Sequence, residues 1–186
     1  MTSILKVTEI QDPTNSNSAL TVDSSGRVSR GVVPAWFLTL GTSAESRTAA
    51  GEAAVQFAVQ ADSGFNQTYI QGGASVSNGV VTVPNTGLYY VNGNCRLDSL
   101  ASGQWGRVGI SINSHTIFDS ANTYQTMRLT PTMLVDVNGE NFNGMDVSAV
   151  LKLSANETVE IRASVYNDTS WNISLYDSHF TGYFIG

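Results

Sequence analysis

The side chains able to do acid–base or nucleophilic chemistry are few. Histidine occurs twice, at His115 and His179, and cysteine once, at Cys95. A nucleophile needs a base held beside it and a third group to orient that base, and two histidines leave little from which to build such a relay. His115 follows Asn113-Ser114 in a predicted hairpin turn, while His179 alternates with Thr181 and Tyr183 along a predicted strand. Both are expected at a surface or an interface. No Gly-rich phosphate loop, paired-histidine metal motif or cysteine cluster occurs in the sequence. The single cysteine excludes an intrachain disulfide and a cysteine zinc cage, so Cys95 is expected as a buried structural thiol. Asp136, Asn138, Glu140 and Asn143 supply oxygen ligands at short spacing, as calcium requires. They do not follow the calcium-loop pattern, and a hairpin turn accounts for Asn138-Gly139. Trp105, Tyr124 and Trp171 fall in or near predicted loops, where rings can contact sugars, although packing is the commoner fate of such residues. The expectation is a protein that is not an enzyme and uses no cofactor and no metal.

Charge excludes a further class of partner. Nine Lys and Arg stand against fifteen Asp and Glu, a net charge of −6, and the only lysines are Lys6 and Lys152. A phosphate-binding surface needs clustered cations, so no nucleic acid is expected. The opening Met1-Thr2-Ser3-Ile4-Leu5-Lys6-Val7 has no continuous apolar stretch and fits neither a signal peptide nor a membrane anchor. Synthesis in a cytoplasm, without membrane insertion, is the expectation. Sequons at Asn66, Asn156, Asn167 and Asn172 carry no weight without such a signal.

The elements that must position these residues are strands. Only 13% of residues are charged, and Gly, Ser, Thr and Asn are abundant, a mixture that suits sheets and turns. Val108, Ile110 and Ile112 alternate with other residues, as do Met133, Val135 and Val137, and Val147, Ala149, Leu151 and Leu153. In the run Val159, Ile161, Ala163 and Val165, Glu160 and Arg162 are expected to face out. Each run places its apolar side chains on one sheet face. Asn78-Gly79, Asn138-Gly139 and Asn143-Gly144 read as turns. Trp36 to Leu40 is an apolar run of strand length, and Ala44 to Val59 admits a short helix or strand ends at Phe57 and Val59. The result is an all-β antiparallel sandwich over residues 34–186.

Two segments stand apart. Residues 1–33 carry Ile4, Leu5, Val7 and Ile10, then turn chemistry at Asp12-Pro13-Thr14-Asn15, then a second short strand with Leu20 and Val22. Two such strands are unstable alone and must lie on something. In the last strand, Phe180 and Phe184 share one face, while Tyr183 and Ile185 share the other. A strand with one wet face should not be apolar on both, so one side is expected in the core and Tyr183 and Ile185 in a subunit interface.

The segment Gly79-Val80-Val81-Thr82-Val83-Pro84-Asn85-Thr86-Gly87-Leu88-Tyr89-Tyr90 resembles the "G-x-F-x-V-P-x-x-G-x-Y-x-F" signature of the globular head of complement component 1q, a tumour-necrosis-factor-like jelly roll. Leu153 to Val159 is similar to that family's "L-x-x-G-D-x-V", with Asn156-Glu157 replacing Gly-Asp. Ser178 to Ile185 is similar to its closing "S-x-F-S-G-F-L-I", and Phe65-Asn66 is a looser match upstream. The resemblance implies a jelly roll of about ten strands that forms a homotrimer about a threefold axis. Ser3 to Asp12 and Ala19 to Val28 resemble the leader of structural proteins from tailed phages of marine bacteria and cyanobacteria.

Together these readings predict a virion-surface protein made in a host cytoplasm. It is expected to be a trimeric capsid decoration, or cement, protein. A short extended arm with Ile4, Leu5, Val7, Ile10, Leu20 and Val22 docks it on the major capsid protein or another virion protein. The alternative is the receptor-binding tip of a short tail or head fibre, with a host surface glycan as ligand. About thirty residues before the sandwich reach ~100 Å at most, which suits decoration better than a fibre.

Overall fold

The structure, a computed structural model, describes residues 9–11, 18–22, 25, 28–30, 32–41, 43–48, 52–60, 68–100, 104–115, 132–137, 143–165, 170–175 and 177–186. The chain divides into two compact units, Met1–Val33 and Pro34–Gly186. The first holds β1 (Glu9–Gln11), β2 (Ser18–Val22) and β3 (Val28–Arg30), an antiparallel meander in the order β1-β2-β3. Its third strand was not foreseen. Ile10 pairs with Leu20, and Val22 with Val28. Ile4, Leu5 and Val7 lie outside the described residues.

The second unit opens with β4 (Ala35–Thr39), β5 (Glu45–Arg47) and β6 (Ala53–Ala54). Three short strands follow: β7 (Tyr69–Gln71), β8 (Ser75–Ser77) and β9 (Val80–Thr82). The long strands are β10 (Gly87–Asp98), β11 (Gln104–Ile112), β12 (Thr132–Val137), β13 (Asn143–Leu153) and β14 (Thr158–Val165). Strands β15 (Trp171–Ile173) and β16 (His179–Phe184) complete the unit. Strands β4, β16, β10 and β13 lie side by side in one sheet, and β9, β14, β11 and β12 in the other. The crossings between the sheets make this an antiparallel jelly-roll sandwich. The short strands β5, β6, β7, β8 and β15 extend these two sheets.

Period-two alternation builds the core. Along β10, Tyr89, Val91, Cys95 and Leu97 are fully buried. They meet Trp36 and Leu38 of β4, Phe180 of β16, Met145 and Leu153 of β13, and Val108, Ile110, Val159 and Ile161 from the facing sheet. Trp36 packs edge-on to Phe180 with ring centroids 5.6 Å apart, and Phe57 lies 6.1 Å from Phe180. Burial pushes the Cys95 thiol far above its usual range, which leaves it protonated and poorly nucleophilic.

Several local expectations are corrected. No helix forms among the described residues of 44–59. Strand β5 pairs with β15 in one sheet and β6 with β14 in the other, while Val55 and Phe57 enter the core. Asn143-Gly144 is no turn: it begins β13, opposite Leu97 and Arg96. Asn78-Gly79 does turn, with φ of 49° and 76°, both in the left-handed region that such a two-residue hairpin demands. Asn156, where the complement 1q pattern has glycine, adopts φ 69°, a conformation asparagine tolerates best after glycine. Glu160 and Arg162 point away from the core, yet Glu160 is only 1% exposed. Arg162 binds Glu160 at 2.6 Å, Glu52 at 3.0 Å and the Ser114 carbonyl at 3.3 Å, so the outer side of this sheet is covered.

Phe180 touches both Trp36 and Phe57, so Phe180→Ala should cost about 3–5 kcal/mol of stability. Chemical denaturation measures it, and a loss under about 1 kcal/mol would place the ring at the surface.

Candidate functional site

The outer side of the first sheet is built from the residues that alternate with the core. On β10 these are Leu88, Tyr90, Asn92, Asn94 and Arg96. Tyr90 stands opposite Tyr183 on one side and Val150 on the other. Asn92 stands between Thr181 and Ser148, and Asn94 between His179 and Asp146. On β4, Phe37 lies opposite Thr181 and, on its other side, Tyr69. All these side chains share one surface because the strand period is two.

That surface has two zones. At one end Tyr183 is 49% exposed, Ile185 52% and Val150 59%, with Leu88 also exposed. Tyr90 and Tyr183 rest against each other with ring centroids 5.4 Å apart. Backbone hydrogen bonds hold this end rigid: Ile185 N–H donates to the Leu88 carbonyl, and Leu88 N–H donates to that of Gly186, both at 2.7 Å. Contiguous apolar exposure of this kind marks an interaction surface.

The other end is polar and internally paired. Arg96 donates to both carboxylate oxygens of Asp98, at 2.8 and 3.0 Å, and also binds Asp177. His179 stacks on Phe37 at 5.7 Å, and its Nε2 lies 3.2 Å from Asn92 Oδ1. Asn92 Nδ2 donates in turn to Asp146 Oδ1 at 2.6 Å. Burial pushes the His179 ring below its usual titration range, against the opposing pull of Asp146.

The residues singled out for chemistry do not converge. His115 is exposed just beyond the Asn113-Ser114 turn that follows β11, a strand of the sheet that does not hold His179. Asp136 lies in β12 and Asn143 in β13, while Asn138 and Glu140 fall outside the described residues. Among the described residues no three His, Cys, Asp or Glu gather as a metal cage would require. Trp171, expected near a loop, lies fully buried in β15 with Arg47 over its ring at 5.9 Å, and so presents no sugar-stacking surface. Trp105 is in β11, and Tyr124 lies outside the described residues. Tyr183 and Ile185 do occupy one exposed face together. Leu88, Tyr90 and Val150 join them, and the sequence analysis missed these three. The signal was present in Leu88-Tyr89-Tyr90-Val91 and Ala149-Val150-Leu151, which are apolar on both parities.

No family model and no curated protein matches the sequence. Among solved structures, crystalline murine APRIL at pH 5.0 superposes with a TM-score of 0.53. The two are 14% identical, over 82% of this chain and 99% of that one. The fold is a tumour-necrosis-factor-like jelly roll. That likeness covers the architecture alone.

The Asn92 amide fixes the state of the adjoining ring. In ¹⁵N spectra at about pH 8, neutral His179 should carry its proton on Nε2 and leave Nδ1 bare. The opposite tautomer would mean that the Asn92 amide is turned around.

Proposed function

We propose that this chain is a structural protein of a virus particle, a homotrimeric decoration module that docks through residues 1–33 and displays residues 34–186. The observation that carries the trimer is the exposed apolar end of the first sheet, where Leu88, Tyr90, Val150, Tyr183 and Ile185 lie together. A soluble chain gains by covering such a band, and identical copies supply the matching surface at no added complexity. The jelly-roll architecture and the resemblance to complement 1q heads favour three copies about an axis.

The virion setting draws its support from the leader resemblance of residues 3–28. The division of the chain at Val33 and Pro34 suits an attachment unit followed by a displayed one. Three attachment units on one trimer act together, so a weak individual contact with a capsid protein becomes firm through effective concentration. No step in this role calls for catalysis. The net charge of −6 suits a surface that stays soluble and clear of nucleic acid.

Light scattering on the purified chain should give three times its 19.8 kDa mass, and Tyr183→Glu should give monomer with an intact β spectrum. Monomeric wild type at micromolar concentration would remove the trimer. Deleting residues 1–30 should leave a folded trimer that no longer binds shells stripped of the native protein. Full-occupancy binding by the truncated form would move docking to the jelly roll.

A further inference from the structure

Beyond its exposed apolar end, the outer face of the first sheet carries a mixed row of polar and aromatic side chains. Ser148, Asn92, Thr181, Phe37 and Tyr69 are ladder neighbours in that order across β13, β10, β16, β4 and β7. Asn94 and His179 stand opposite each other one period further along. Neighbouring strands lie about 4.8 Å apart, so the row runs about 19 Å from end to end.

The charged groups here are engaged within the chain. Arg96 binds Asp98 and Asp177, which disfavours an anionic ligand. Asp146 accepts from the Asn92 amide at 2.6 Å. The side chains left with hydrogen-bonding capacity are uncharged: the Asn94 amide and the Ser148 and Tyr69 hydroxyls have no protein partner among the described residues. Each of them can both donate and accept, as a sugar hydroxyl does. Apolar surface lies beside them. The Tyr69 ring is 45% exposed, and Phe37 carries the His179 ring 5.7 Å away. An aromatic ring next to uncharged donors and acceptors fits a ligand with one C–H face and a rim of hydroxyls. A peptide would instead seek the open backbone groups of a strand edge, and β10, β16 and β4 have neighbours on both sides.

We propose that this row binds a neutral oligosaccharide: one sugar ring rests on Tyr69, and hydroxyls further along the glycan bond to Asn94 and Ser148. Tyr69 and Asn94 are separated by β4 and β16, a gap of about 14 Å. A single sugar cannot reach both, so the surface selects for oligomers. Binding of this kind requires neither the trimer nor the virion setting proposed above.

Titration of the ¹⁵N-labelled full chain with neutral tetrasaccharides of glucose, galactose, mannose and N-acetylglucosamine tests this. At least one should shift the Asn94 side-chain amide and the Tyr69 backbone signal. For that sugar, Tyr69→Ala should weaken binding about tenfold and Asn94→Ala about fivefold. Its monosaccharide should bind far more weakly, and a sialylated chain no more tightly. No shift at these residues with any of the sugars overturns the site. So does undiminished binding by Tyr69→Ala, equal affinity for the monosaccharide, or tighter binding of the sialylated chain. If a variant does not fold, magnetisation transfer between the bound sugar and the Tyr69 ring of the wild type decides, and its absence overturns the proposal.

Discussion

The contact on which the rest depends is Trp36 lying over Gly182. The two are ladder partners on β4 and β16, and a Cβ at Gly182 would sit 2.2 Å from the indole ring. Only glycine leaves that space. With Trp36 inside, Leu38 and Leu40 are inside as well, and Ala35 and Phe37 go out. With Gly182 inside, Phe180 and Phe184 flank it on the core side, and Thr181 and Tyr183 go out. A slip of one residue would exchange the two sets. One close approach thus specifies both the aromatic core and the surface on the other side of the sheet.

The two sheets treat their outer sides in opposite ways. Behind the second sheet, polar side chains are covered: Arg107, Ser111 and Glu160 are all buried. Ser111 Oγ donates to the His115 carbonyl, and the Arg162 guanidinium ties Glu160 to Glu52. Behind the first sheet, apolar side chains are open to solvent at Val150, Tyr183 and Ile185. Burying polar groups is costly unless they are paired, and Ser111 and Glu160 are paired. Exposing aromatic and aliphatic groups together has no such local compensation, which is why the first sheet is the one that calls for a partner.

Much of this was legible in the sequence. The alternation in Val147 to Leu153 and Val159 to Val165 gave strand and face correctly, since period two needs no tertiary knowledge. The double-sided apolar character of Phe180 to Ile185 located the exposed band. What escaped was decided by distant contacts. Glu160 reads as a solvated residue because its partner Arg162 is held in turn by Glu52, more than a hundred positions away. Trp171 reads as a loop aromatic because β15 is three residues long and owes its burial to β5 and β10. Asn143-Gly144 has turn chemistry, but β10 extends far enough to pair with it. The Asn92 link between His179 and Asp146 joins three strands and has no sequence signature.

The position of β16 also governs the order in which the fold can be made. It fills the slot between β4 and β10, yet it follows every other strand in the chain, and the Thr181 hydroxyl reaches the Trp36 carbonyl across 145 positions. Until that segment leaves the ribosome, β4 has no neighbour on one edge and Trp36 has no Gly182 to lie against. The first sheet stays split until the other strands of this unit have been made, with its core aromatics open to water. Closure then joins segments far apart in the chain, a slow class of step. Nascent chains awaiting it expose the surfaces most prone to cross-association. A unit of this topology is closed by its last strand, after every other strand of the unit has been made.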